Sequence, residues 1–178
     1  KDKKWKIEEG SALDEIYLRS LGKFDVVYSW GVLHHTGEMW RALENAVIPV
    51  KKGGLLFIAI YNDQGETSKR WLWVKKFYNS GILGKMLMTY VFYFYYILMN
   101  LQYDIRQFRN PLKRYKEYQK SRGMSYFVDI RDWIGGYPFE VAKPEEIFEF
   151  YKKHGFSMEK MKTVGGGLGC NEFVFRRK

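Results

Sequence analysis

Two short apolar runs joined by one helical stretch restrict the folds open to this chain. Phe24-Asp25-Val26-Val27-Tyr28-Ser29-Trp30 ends at Gly31, and Leu55-Leu56-Phe57-Ile58-Ala59-Ile60-Tyr61 follows Gly53-Gly54. Both runs are rich in β-branched and aromatic residues and read as buried strands of a parallel sheet. Between them, residues 37–48 set Met39, Trp40, Leu43 and Val47 at helical spacing and stop before Pro49. Two buried strands joined by a helix form a βαβ unit, which implies a parallel sheet and a right-handed crossover.

The flanking segments extend this α/β reading. Residues 5–9 alternate weakly and end at Gly10, so they are a strand candidate. Residues 12–21 read as a short helix or turn closed by Gly22, and Ser11 could serve as its N-cap. Pro144-Glu145-Glu146 opens a helix that runs to His154 and ends at Gly155, with proline and acids at its start and glycine at its end. Residues 156–164 and 170–175 then read as strands. The run Gly165-Gly166-Gly167-Leu168-Gly169 lies between them. A phosphate loop follows a strand and opens a helix. This loop joins two strands, so it predicts an antiparallel hairpin at the sheet edge, with Asn171 and Glu172 as strand-edge polar residues. Three segments result: residues 1–63 as the central part of a core, 64–142 as a helical insertion, and 143–178 as a C-terminal helix and hairpin.

Composition excludes several classes. At 46% hydrophobic and 19% aromatic, the chain is too apolar to stay disordered. The single cysteine, Cys170, rules out an internal disulfide and argues against a cysteine-ligated zinc. With that lone cysteine the chain is placed in the cytoplasm, with association to a membrane as a further option, and the Lys-rich N-terminus has no apolar run behind it, so no signal peptide is expected. It lacks an initiator Met, which suggests processing or a reading frame that opens inside a gene. Of the net charge of +10, residues 66–132 carry +8, from 13 basic and five acidic groups. Such a regional excess suits phosphates, anionic lipid or an acidic substrate, or else a solvated helical face.

Taken together, these residues resemble the class I S-adenosylmethionine-dependent methyltransferases, in particular their quinone-methylase-like branch. The match lies in Glu9-Gly10-Ser11-Ala12-Leu13-Asp14, in Phe24 to Trp30 continued by Gly31-Val32-Leu33-His34-His35, and in Gly53-Gly54-Leu55-Leu56-Phe57-Ile58. It resumes at Lys143-Pro144-Glu145-Glu146 and Lys153-His154-Gly155-Phe156. The resemblance implies a partial Rossmann-like sheet. The family order is 3-2-1-4-5-7-6, and this chain would hold strands 3 to 7, with the antiparallel C-terminal hairpin and a helical insertion. The third strand falls on residues 5–9.

The resemblance also implies S-adenosylmethionine as cofactor, S-adenosylhomocysteine as product and a small-molecule methyl acceptor. The family's cofactor lies outside the carboxyl ends of the strands, as expected for open α/β sheets. Ser11, Ala12 and Leu13 fall where the family holds the adenine, although the family more often has Asp at the position of Ser11. Ser29, Trp30 and Gly31 fall where it lines the methionine end. There a glycine permits close backbone approach, and an indole face favours a sulfonium. His34 and His35 follow as candidate catalytic bases, while in the family this pair is mainly structural or borders the substrate. No third ligand set accompanies the pair, so no metal is expected. Tyr137 and Glu140 are the substrate-side candidates. The family's glycine-rich loop and ribose-binding acid belong to strands ahead of residues 5–9. The chain alone is therefore expected to bind cofactor weakly or not at all, as a fragment or as a chain completed by a partner.

The insertion admits several readings. Residues 86–103 carry no charge, yet they include five tyrosines, Thr89 and Asn100. A helix packed on the sheet or in a homo-oligomer interface is one reading. A lid over an apolar or lipid-linked substrate, touching a membrane surface, is a second. A membrane span is a third, and the tyrosines argue against it. Tyrosine and basic residues interleave over 106–122, as in single-strand binders. No nucleic-acid signature appears, so that partner is not expected. The rival to an enzyme is a non-catalytic interaction or membrane-surface module.

Overall fold

The computed structural model describes residues 6–178. In chain order its elements are α1 (Glu15–Ser20), β1 (Phe24–Trp30), a 3-10 turn (Leu33–His35), α2 (Met39–Asn45), β2 (Val50–Tyr61), α3 (Glu66–Tyr78), α4 (Ile82–Arg106), α5 (Pro111–Arg122), α6 (Tyr126–Gly135), α7 (Pro144–Lys153), β3 (Phe156–Lys162) and β4 (Cys170–Arg177). They divide into two units. One comprises the residues up to Ser68 with Pro138–Lys178, and the other is Lys69–Tyr137.

The first unit is a four-stranded sheet in the order β1-β2-β4-β3. β1 runs parallel to β2, while β4 is antiparallel to both β2 and β3. The expected parallel pair and C-terminal hairpin are thus both present. Leu56, Ile58 and Ile60 of β2 and Phe173 and Phe175 of β4 alternate onto one face. They pack there with Met39, Ala42 and Leu43 of α2 and Ile147 and Tyr151 of α7. The Tyr151 hydroxyl, deep in this core, donates to the Leu43 carbonyl at 3.1 Å. On the other face Ala59 of β2 is fully buried, but β1 is open. Val26, Tyr28 and Trp30 of β1 are 60%, 65% and 50% exposed, although parallel strands are normally covered on both faces.

Several expectations need correction. Trp5 lies outside the described residues, and residues 6–9 form no strand. Backbone N–H and C=O groups need a sheet partner, and among the described residues β1 pairs only with β2. The first helix starts at Glu15, capped by Asp14, whose Oδ1 accepts from Tyr17 N at 3.0 Å. Ser11 instead closes a local turn by accepting from Leu13 N at 3.1 Å. Gly53-Gly54 lies inside β2 rather than ahead of it. Phe24 pairs with Val50 and Val26 with Leu55, so the strand bulges, and Gly53 takes φ +76 there. A Cβ on Gly54 would sit 3.0–3.1 Å from the carbonyl oxygens of Lys51, Asp25 and Phe24.

The second unit is helical, with a core of Met88, Tyr126, Ile130 and Ile134 ringed by aromatic side chains. Its caps follow the sequence. Asn110 accepts from Leu112 N at 2.9 Å ahead of Pro111, Gly123 takes the left-handed conformation after α5, and Ser125 caps α6. Lys75 of α3 is fully buried, donates to the Trp133 carbonyl, and lies 4.8 Å from the Trp133 ring centre. Burial pulls its amine from the usual 10.5 to about 8, against the opposing pull of Asp132.

Candidate functional site

The carboxyl ends of β1 and β2 lie side by side, since Trp30 pairs with Ala59. Gly31 leaves β1 with φ +73, a left-handed turn that glycine makes without strain, and its N–H donates to the Ala59 carbonyl at 3.3 Å. No atom lies within 4 Å of where a Cβ would be, so this turn faces open space. Trp30 beside it is half exposed and Ser29 half buried.

A cleft of about 250 Å³ runs along β1 and brings Ala12 together with Val26, Val27, Tyr28, Ser29 and Leu33. Two segments singled out separately in the sequence therefore meet: Ala12 from the loop before α1, and Ser29 from β1. Ala12 and Leu13 pack against the core. The Ala12 carbonyl accepts from Nδ2 of Asn45, a nearly buried residue of α2, at 3.0 Å. Asn45 was not singled out in the sequence, yet it fixes the position of the 11–13 loop. Ser11 itself is exposed.

The histidine pair braces this end of the sheet. His34 is fully buried, and its Nδ1 accepts from Tyr61 N at 3.3 Å. Its carbonyl accepts from Glu140 N at 3.0 Å. Nδ1 of His35 donates to the Pro138 carbonyl at 2.6 Å. The two imidazoles and Tyr61 form a ring cluster with centres 4.0–5.5 Å apart, and Phe139 stands 5.2 Å from Tyr61. Buried among these rings, His34 braces the framework at this end of the sheet.

Glu140, expected on the substrate side, also has a structural task. Both carboxylate oxygens accept from Met39 N, at 3.1 and 3.0 Å. The carboxylate thus caps the start of α2, whose own N-cap residue Glu38 supplies no side-chain bond. Tyr137 is 43% exposed at the end of the helical unit. Among the described residues no three His, Cys, Asp or Glu side chains gather as a metal set.

Sequence reading missed the amide network over the end of β2. Asn171, taken as an edge residue, is 1% exposed. Its Oδ1 accepts from Val164 N at 3.1 Å, and its Nδ2 donates to Asn62 Oδ1 at 3.0 Å. Asn62 donates onward to Gly167 O at 3.2 Å, and Gln64 Nε2 to Gly166 O at 2.6 Å. The glycine loop is thereby lashed to the residues that follow β2. A signal was available, because Asn171 is in phase with the inward-facing Phe173 and Phe175. Beside it the Cys170 thiol is pushed up to about 11 by burial and by Glu172, which keeps it an unreactive thiol.

No protein-family model matches this chain, and no curated protein does. Among solved structures it is similar to an O-methyltransferase family protein from Burkholderia thailandensis. The two share 13% sequence identity, with a TM-score of 0.48. The similarity covers 96% of this chain and 35% of that one, so this chain spans 35% of that protein's length. The likeness is one of backbone course and carries nothing about the chemistry of the site.

Proposed function

We propose that this chain forms the part of an S-adenosylmethionine-dependent methyltransferase core that carries the family's fourth to seventh strands, and that the whole enzyme methylates an apolar or lipid-linked small molecule. The observation that carries the reading is the cleft along β1, where Ala12 and Ser29 converge beside the open turn at Gly31. The strand order supports it, because β1-β2-β4-β3 corresponds to 4-5-7-6 of the order that the resemblance implies. Among the described residues the outer edge of β1 is unpaired, where that family's first strand would pair, and the exposed face of Val26, Tyr28 and Trp30 is where the helices joining those strands would pack.

The residues fit a share of the cofactor. At about 250 Å³ the cleft is smaller than the ~300–1,000 Å³ of whole ligand pockets. It suits the adenine end, with Ala12 as an apolar contact and Ser29 as a polar one, while Leu13 packs against the core beside it. Trp30 and Gly31 would meet the methionine end, where an indole face stabilises a cation. When bound, the cofactor supplies an electrophilic methyl group to a substrate nucleophile. The protein's task is then proximity and orientation. His34, His35 and Glu140 serve it by holding the loop after β1, and Tyr137 is left as the acceptor-side candidate.

Titration of the chain with S-adenosylhomocysteine tests the reading. Weak, saturable heat that Ala12→Trp abolishes without altering the circular dichroism is the expected result. Absence of heat up to about 1 mM, equivalent to about −4 kcal/mol, would count against a cofactor share in this chain and favour a non-catalytic interaction module. One observation favours that second reading: the long apolar face that α4 leaves exposed.

A further inference from the structure

We propose that the helical unit docks on an anionic lipid bilayer, with α4 lying in the membrane plane. α4 is two-faced. Gly84, Met88, Phe92, Tyr96, Asn100 and Asp104 recur every fourth residue and turn inward. Leu83, Leu87, Phe94, Leu98, Leu101 and Ile105 turn outward and are 38–83% exposed. This outward stripe extends ~33 Å at 1.5 Å per residue, and no charge interrupts residues 86–103. Tyr90, Tyr95 and Tyr103 lie exposed among these residues. Tyrosine favours the level of lipid headgroups, where its ring is buried and its hydroxyl stays wet. A soluble surface rarely leaves so continuous an apolar stripe bare.

The turn after α4 points the same way. Phe108 is 98% exposed and holds φ +51, a left-handed conformation disfavoured for a bulky side chain. The bonds from Phe108 N to the Ile105 carbonyl at 3.1 Å and from Arg109 N to the Asp104 carbonyl at 2.8 Å close α4 as a Schellman turn, in which Phe108 takes the left-handed position that glycine usually fills. Here it sets an aromatic ring outside the fold, with Leu112, 71% exposed, four residues on. Arg106, Arg109, Lys116 and Lys120 surround this tip in sequence and are exposed; Arg109 lies 5.8 Å from the Tyr103 ring centre and adds its charge to the field on Asp104, and none of the four forms an ion pair among the described residues. By contrast, Asp104 is committed to Arg114.

Charge decides between the occupants. A second copy placed face to face would bring two such basic rims together, whereas an anionic leaflet complements them. Length and composition alone would let α4 cross a bilayer, and only 11% of its most apolar stretch is buried. Its inward face, however, carries Asn100, bonded to the Tyr126 hydroxyl, and the Asp104–Arg114 pair. A span would have to strip these from α5 and α6 or bury them in lipid. An in-plane helix keeps them.

Flotation of the full chain with vesicles of phosphatidylcholine, with and without phosphatidylserine, tests this independently of any methyl transfer. Binding should require phosphatidylserine and fall at least tenfold between about 0.1 and 1 M salt, as the Debye length shrinks from about 10 to 3 Å. Arg106→Gln with Arg109→Gln should reduce it severalfold. Phe108→Gly should raise thermal stability by relieving the left-handed strain, yet weaken vesicle binding severalfold, a split that simple unfolding would not produce. Equal binding to both vesicles, or binding that resists alkaline extraction, would overturn in-plane docking. So would absence of binding, and concentration-dependent dimerisation lost in Leu87→Glu would then assign the face to a second copy.

Discussion

Glu140, the substrate-side candidate, holds the fold through its carboxylate. Its carboxylate satisfies Met39 N at the start of α2, where the helix leaves donors without internal partners. Glu140→Gln keeps an acceptor but removes the charge, so it should cost about 0.5–1 kcal/mol and lower the melting temperature by a few degrees. An unchanged melting curve, together with a raised KM for a methyl acceptor, would restore the substrate role. Lys75 carries a second residue-scale prediction. Its amine titrates near 8 when folded and near 10.5 when unfolded, so over that interval the unfolded chain binds a proton that the folded chain does not. Stability must therefore rise as pH rises through this window, by up to about 3 kcal/mol. Urea midpoints at about pH 7.5 and 9.5 should show the rise, and Lys75→Met should abolish it. Above pH 10 Tyr126, pushed up to about 12 by burial, works in the opposite direction.

Among the elements, α3 and α4 depend on a close backbone approach that only glycine allows. A Cβ on Gly84 would lie 2.3 Å from the Phe77 carbonyl oxygen and 2.8 Å from Ser80 Oγ. Because the nearer obstacle is backbone, α4 must shift, and Gly84→Ala should cost about 1–3 kcal/mol in urea unfolding. Helix propensity alone predicts the opposite sign, so a gain in stability would refute the contact argument. Gly31 is glycine for another reason. Its added Cβ meets nothing, and only the left-handed turn excludes other residues. β1 and β2, alike as apolar runs, end in different positions. β2 is paired on both sides, while among the described residues β1 is an edge, with Val26 and Tyr28 exposed.

For the molecule as a whole, this uneven cover should be visible in amide hydrogen exchange. The greatest protection is expected in β2 and β4, where pairing and the main core coincide. Alternate β1 amides, which face away from β2, should exchange orders of magnitude faster. Uniform protection of β1 would mean that another segment covers its edge in solution. The charge is distributed just as unevenly. Residues 66–132 hold +8 of the chain's +10, so salt-sensitive behaviour should follow the helical unit rather than the sheet.

Local chemistry was legible wherever neighbours in sequence are neighbours in space. Phe24–Trp30 was bounded correctly because an apolar run between Gly22 and Gly31 has no other comfortable state. α7 was read from Pro144, Glu146 and Gly155, and Glu146 does accept from Lys143 N at 2.8 Å. The meeting of Ala12 and Ser29, the capping of α2 by a glutamate 101 residues distant, and the Asn171 lash on the glycine loop are contacts between segments far apart in the chain. Periodicity reports which face a side chain takes, and composition reports how much surface must be hidden. Neither specifies which distant donor a buried acceptor will find. Tertiary packing alone made that choice, because a polar group taken out of water must bond to whatever partner the fold brings within reach.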